Sequence, residues 1–294
     1  MTFVRSISDL AQSQIDWVLS RSRFHLGQPT LSPSASRTVV GLAFLEPSLR
    51  TRVGFAAAAI RLGATPVEVQ KVRSSDTSKP ERIQDTLRTL AGYSDLVVAR
   101  VPEQLSLPTG VVVPVLNGGD GGPRAEHPSQ AIVDLFALEQ FLGGVDGLTI
   151  AMCGDLRMRA ARSLLLLLAD RLPKRLLLVT EPELLEGFEL PDSLRPLTEF
   201  TSLGLLAAVD ALYVVGLPFG VIDEPGRTRL RVSRAVLDSL PKHAAVLSPL
   251  PVIDEMEIDA ISHPRVRMYE QSDNGLFVRM SLLELMLGHG QGAP

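Results

Sequence analysis

The stretch FLEPSLRTRVGF, residues 44–55, sets the end of an apolar run against a polar cluster and the start of a helical pattern. Ahead of it VVGLAFL at 39–45 is apolar and of strand length; behind it VGFAAAAIRLG at 53–63 is alanine-rich with helical spacing. Ser48, Arg50, Thr51 and Arg52 therefore fall where a strand ends and a helix begins. A helix start offers unpaired backbone N–H groups and the positive end of the macrodipole. Hydroxyls and guanidinium groups added there suit a phosphate or another oxyanion. The same residues equally read as a capped helix with two solvated arginines.

Outward from this stretch, short apolar runs alternate with helical patterns along the whole chain. Strands are expected at 39–45, 67–70, 95–100, 111–116, 148–153, 175–180, 211–215 and 245–248. Helices are expected at 8–21, 51–62, 81–92, 128–142, 159–171, 203–208 and 275–287. Such alternation predicts α/β architecture, with parallel sheets covered by helices on both faces. The stretch EQFLGGVDGL before the 148–153 strand is a plausible hinge between two doubly wound domains, 1–142 and 143–274. The final helix, within 275–294, is expected to pack back on the first domain. DEPGRTRLR at 223–231 reads as a charged loop.

In open α/β sheets, ligands collect at the carboxyl ends of the strands. Most polar clusters of this chain sit there: EPSLRTR, Arg100, NGGDGGPRAEHPSQ, GDLRMR, GLPFG and SPLP each follow an apolar strand. This shared placement says more than any one motif.

The 294 residues, 45% hydrophobic with a formal charge of −4, suffice for one large core or two ordinary domains. That charge does not suggest a nucleic-acid partner. The single cysteine, Cys153, excludes an internal disulfide and lies inside an apolar run, where it reads as a core residue in a reducing compartment. The N-terminus has no signal-peptide pattern. The longest apolar run, LLLLLA at 164–169, is too short to span a bilayer. A cytoplasmic protein with no membrane partner is expected.

Taken together, FLEPSLRTRVGF, VVAR, PVLNGGDGGPRAEHPSQAIVDLFAL, GDLRMRAARSL, SPLPVIDE and NGLFVRMSLLELML resemble the aspartate/ornithine carbamoyltransferases, most of all the aspartate branch. They occur in the family's order through nearly the whole chain. The resemblance implies two α/β domains with the active site between them. It implies that Ser48, Arg50 and Thr51 hold the phosphate of carbamoyl phosphate, and that Arg100 contacts its phosphate and carbonyl side. His127 would donate to the carbonyl oxygen and Gln130 would orient the carbamoyl NH2. Lys79 matches a mobile-loop lysine supplied by a neighbouring subunit, so a homotrimer or a multiple of one is implied. Arg159 would bind the α-carboxylate of an amino-acid acceptor, and the backbone carbonyls of Pro249 and Leu250 would meet its amine. Glu46 reads as a strand-end carboxylate or, by the resemblance, as part of an ion pair with Arg159.

The chemistry accounts for these residue types. An amine attacks the carbonyl of carbamoyl phosphate, the tetrahedral intermediate carries an oxyanion, and phosphate leaves. Donors aimed at that oxygen lower the barrier, by ~3 kcal/mol for one donor. The substrate amine is itself the nucleophile, so no nucleophilic side chain, metal or other cofactor is required.

Some positions depart from the family pattern. Leu49 stands in place of Thr, Val101 of His, Ser248 of His and Val252 of Arg. Gly216 and Pro218 stand where the aspartate branch has an arginine and a glutamine, the arginine being the one that grips the side-chain carboxylate of aspartate. A carboxylate buried without its charged partner is costly. The sequence therefore predicts an amino-acid-like acceptor other than aspartate, with Phe219 filling part of its pocket. Aspartate is the alternative if Arg227, Arg229 or Arg231 turns inward. A catalytically weak partner subunit is a further alternative, against which the retained Arg50, Thr51, Arg100, His127 and Gln130 argue.

Overall fold

The computed structural model describes residues 3–28, 32–70 and 81–289. Its first unit, Met1–Ile132 with Asn274–Pro294, carries β1 (Phe3–Val4), α1 (Gln12–Gly27), β2 (Val39–Phe44), α2 (Arg50–Arg61), β3 (Thr65–Gln70), α3 (Ile83–Tyr93), β4 (Leu96–Arg100) and β5 (Val115–Asn117). The five strands are all parallel, in the order β1-β5-β4-β2-β3. β2 and β4 are central, and their apolar runs are buried almost throughout, as sheets covered on both faces require.

Helix α4 (Pro128–Leu142) opens on a proline, whose fixed φ and missing N–H suit a first helical position. It carries the chain into the second unit, Val133–Asp273. This unit holds β6 (Thr149–Cys153), α5 (Arg159–Asp170), β7 (Arg175–Val179), β8 (Thr198–Phe200), β9 (Ala211–Val214), α6 (Glu224–Leu230), α7 (Arg234–Ser239) and β10 (Ala245–Leu247). Its strands are again all parallel, in the order β10-β9-β6-β7-β8. One apolar core gathers Cys153, Leu177, Leu212, Val214, Leu230 and Val246 from strands and α6. Helix α8 (Met268–Met286) begins in this unit and ends in the first. The units divide inside α4 and α8, and the glycine-rich stretch at 143–147 lies within the second.

Each sheet has one place where the strand order reverses. In the first unit it lies between β2 and β4; in the second, between β6 and β9. At such a switch point the connecting loops diverge to opposite faces and leave a crevice at the carboxyl ends. The residues following those strands are Leu45–Arg50 and Val101 in one unit, and Gly154–Arg159 and Val215–Phe219 in the other.

The α/β reading is borne out, with local corrections. The segment read as a charged loop at 223–231 forms α6: Asp223 caps it through Gly226 N, and Pro225 sits in its first turn. The expected helix at 203–208 is a single 3₁₀ turn, Leu203–Leu205. The first helix runs 12–27, capped at its start by Gln14 accepting from Ala11 N, and the last begins at Met268. The strand expected at 111–116 shrinks to Val115–Asn117, since Pro114 precedes it and donates no ladder bond. β1 and β8 were too short for a period-two pattern.

Candidate functional site

In the first unit, β2 ends at Phe44, which pairs in register with Arg100 at the end of β4. Leu45 N donates to Arg100 O at 2.9 Å, so the two strand ends are tied side by side. Helix α2 then starts at Arg50 behind Leu49, which provides no side-chain cap. The N–H groups of its first turn therefore lack the usual hydroxyl partner. Ser48 and Arg50 are half-buried, and Leu49 turns outward. Burial pulls the Arg50 guanidinium below the usual arginine range, yet it stays charged at neutral pH.

Thr51, His127 and Gln130 are buried polar residues. Thr51 Oγ1 lies 3.2 Å from His127 Nε2, and Ser129 Oγ lies 3.3 Å from Nδ1 on the other side of the ring. The Arg100 Nε stands 3.6 Å from Glu46 Oε2. Gly119, at φ +107, brings these groups into one neighbourhood: a Cβ there would meet Arg100 Nη1 at 2.9 Å and the His127 ring at 3.0 Å. Ser48, Arg50, Thr51, Arg100, His127 and Gln130 thus all lie in the first unit. Lys79 lies outside the described residues.

The loop that delivers His127 has a scaffold that sequence reading missed. Asp120, fully buried, accepts from Leu105 N at 3.0 Å and Glu126 N at 2.7 Å. Glu126 accepts from Ser6 Oγ and Ile7 N, and Asn117 donates to the carbonyl of Arg5. The only sequence signal for this scaffold was the acid-and-glycine richness of 117–126.

In the second unit, Arg159 is the first residue of α5, half-buried, behind the β6 switch-point end. Val215 N donates to Cys153 O and Asp155 N to Gly216 O, which lays the 216–219 loop beside the start of that turn. Glu255, buried, accepts from Leu217 N at 2.9 Å and Ile253 N at 2.6 Å. Arg227, expected as a solvated residue, is instead buried. It makes two bonds to Asp254, at 2.8 and 2.6 Å, donates to Pro218 O at 2.9 Å, and lies over the Phe219 ring. The Asp254 carboxylate is held below its usual range by those bonds. Arg229 pairs with Glu181, and Arg231 with Glu224 and Asp254. A Cβ at Gly216 would meet the Met158 sulfur at 3.2 Å.

Pro249 and Leu250 follow β10 and are half-buried; Leu250 has φ 57, a left-handed conformation costly for a branched side chain. Leu250 N donates to Ser248 Oγ at 3.2 Å. Cys153 is buried, and burial lifts its thiol to about 12, so it offers no thiolate near neutral pH.

Residues 4–140 match the family described as aspartate/ornithine carbamoyltransferase, carbamoyl-P binding domain. The chain is 30% identical over 300 residues to the aspartate carbamoyltransferase catalytic subunit of Methanospirillum hungatei, covering 96% of this chain and 98% of that one. The chain belongs to the aspartate/ornithine carbamoyltransferase family. Further along the aspartate branch, this carbamoyltransferase-family enzyme is 36% identical to the chloroplastic aspartate carbamoyltransferase of Oryza sativa subsp. japonica, across 83% of this chain and 71% of that protein. Its fold matches aspartate transcarbamoylase from Trypanosoma cruzi, solved in complex with N-(phosphonacetyl)-L-aspartic acid, with a TM-score of 0.82 at 29% identity over 96% of this chain and 94% of that one. It also matches the catalytic subunit of the M. jannaschii enzyme, at a TM-score of 0.80 and 28% identity over the whole of both chains. These relatives weigh against the sequence expectation of an acceptor other than aspartate. Among the described residues no helix is long and apolar enough to cross a membrane.

Proposed function

We propose that this enzyme transfers the carbamoyl group of carbamoyl phosphate to the α-amine of aspartate. The observation that carries the carbamoyl-phosphate half is the gathering of Thr51, Arg100 and His127 around Gly119, beside the uncapped start of α2. Ser48, Arg50, Thr51 and Lys79 hold the phosphate; Thr51, Arg100 and His127 donate to the carbonyl oxygen as it becomes an oxyanion; Gln130 orients the NH2 group. These donors are fixed before reaction, which is where such groups stabilise developing charge most. Arg159 takes the α-carboxylate, and the carbonyls of Pro249 and Leu250 take the amine. The aspartate acceptor is supported by the names of the relatives.

One observation favours a second reading, an amino acid without an acidic side chain. Gly216 and Pro218 offer no cation, and the arginines of the following segment each hold a carboxylate of the protein itself. Aspartate would have to draw one of them away. A panel of aspartate, asparagine, alanine, ornithine and 2,3-diaminopropionate, scored by phosphate release and product mass, decides between the two. Aspartate giving the highest kcat/KM supports the first reading, and any neutral or amine-bearing acceptor exceeding it supports the second. Carbamoyl phosphate binding without transfer to any amine would favour a partner-subunit role.

A homotrimeric assembly is part of the same proposal. Leu49 at the N-cap of α2, and Val53 and Ile60 on the helix, are large apolar residues more than half exposed. Their spacing places them along one side of the helix, a stripe suited to a second copy. Sedimentation of the active enzyme tests it; a fully active monomer would sink it.

A further inference from the structure

We infer that Asp134 is a positioning residue for the acceptor loop, acting through Gln271 on Ser248 and Leu250. The inference rests on the reading of 249–250 as the amine-binding loop. Asp134 on α4 is completely buried, and two donors converge on its carboxylate at 2.6 Å each: Tyr213 Oη from β9 and Gln271 Nε2 from α8. Burial and the neighbouring carboxylate push the tyrosine far above its usual pKa, so its hydroxyl keeps the proton it donates.

The bond to Asp134 fixes which end of the Gln271 amide faces which way. A carboxylate accepts only, so the NH2 group must face it, and the amide oxygen must face the other way. That oxygen accepts from Ser248 N at 2.9 Å. Ser248 in turn accepts at its hydroxyl from Leu250 N, where the backbone takes its left-handed turn. Asp134, Gln271 and Ser248 are all more than nine-tenths buried, and none belongs to the carbamoyl-phosphate cluster. Three hydrogen bonds with one donor direction thus link α4 to a backbone conformation that a leucine would not adopt unaided.

The test is a two-site exchange. In D134N the new amide presents a donor to one of two donors; turning Gln271 to accept it would set an NH2 group against Ser248 N–H. In D134N/Q271E each donor again meets an acceptor. The Tyr213 hydroxyl donates to the new amide oxygen at position 134, the new amide NH2 to one oxygen of the new carboxylate at position 271, and Ser248 N–H to the other. D134N should lower kcat/KM for the acceptor at least about tenfold, while the Kd for carbamoyl phosphate, read by thermal shift, stays within about twofold. The double variant should recover most of the loss. Gln271→Met cuts the relay while keeping the Asp134–Tyr213 bond, and carries the test should D134N not fold; it should show the same split. Unchanged acceptor kinetics in either single variant, or equal loss of carbamoyl phosphate binding, would overturn the inference. A wild type that transfers to no amine would instead overturn the functional proposal.

Discussion

Thr51 Oγ1 lies 3.2 Å from His127 Nε2, joining the first turn of α2 to the residue that precedes α4. The hydroxyl and the ring sit in one donor–acceptor pair before any ligand arrives. Thr51→Val keeps the shape and removes the hydroxyl. It should lower kcat by about a hundredfold, the usual consequence of losing one oxyanion donor, while Thr51→Ser should stay within a fewfold of wild type. Steady-state kinetics with carbamoyl phosphate varied will show it; a Val variant as fast as the Ser variant would remove Thr51 from the chemistry.

Phosphate should raise the melting temperature of the wild type by mass action. Arg50→Ala should abolish the shift, because it removes the cation at the uncapped helix start. A shift that survives in the variant would place the anion elsewhere.

Arg227 distinguishes a clamp from a ligand. Its bonds to Asp254 and to Pro218 O hold the 216–219 loop. Arg227→Ala should therefore depress kcat/KM for aspartate and asparagine alike. Selective loss of aspartate, with asparagine untouched, would show instead that Arg227 leaves Asp254 to bind the substrate carboxylate.

Glu284 on α8 makes the first unit acid-sensitive. Burial alone would raise its pKa, but bonds from Arg21, His25 and Ser34 outweigh it and hold the carboxyl at about 2, against 4.5 for an ordinary glutamate. A lowered folded-state pKa stabilises above the unfolded value, and the gain disappears as pH falls from about 4.5 to about 2. At neutral pH the difference is worth at most roughly 3 kcal/mol. Glu284→Gln should lower the melting temperature by several degrees at pH 7 and much less near pH 2.5. An equal deficit at both would show that charge is not involved.

The first unit was legible because its signals are local: an apolar strand, a polar turn and a periodic helix occur together in 39–62, and the structure places α2 within a residue of expectation. The second unit's loops were not. Segment 223–231 carries five charges, a proline and a glycine, which read as solvent-facing, yet Arg227 is buried because Asp254, 27 positions later, neutralises it. No local pattern announces a partner at that distance. Asp134 and Tyr213, 79 positions apart, were hidden for the same reason: each looked like part of an apolar run. The motif residues of the candidate site were found by resemblance, but the buried acids that brace them, Asp120, Glu126 and Glu255, carry no motif.

The division of the chain also sets the order in which it can be completed. Residues 133–273 form the second unit without interruption, whereas the first needs its last helix: Arg21 and His25 meet Glu284 only across some 260 intervening positions. β1 must likewise wait for β5, since Phe3 pairs with Val115. On a ribosome, then, the later-encoded unit is the earlier to be finished. The nascent first unit holds an open seam along α1 until α8 is made, and truncation within α8 would damage the half of the molecule that was made first.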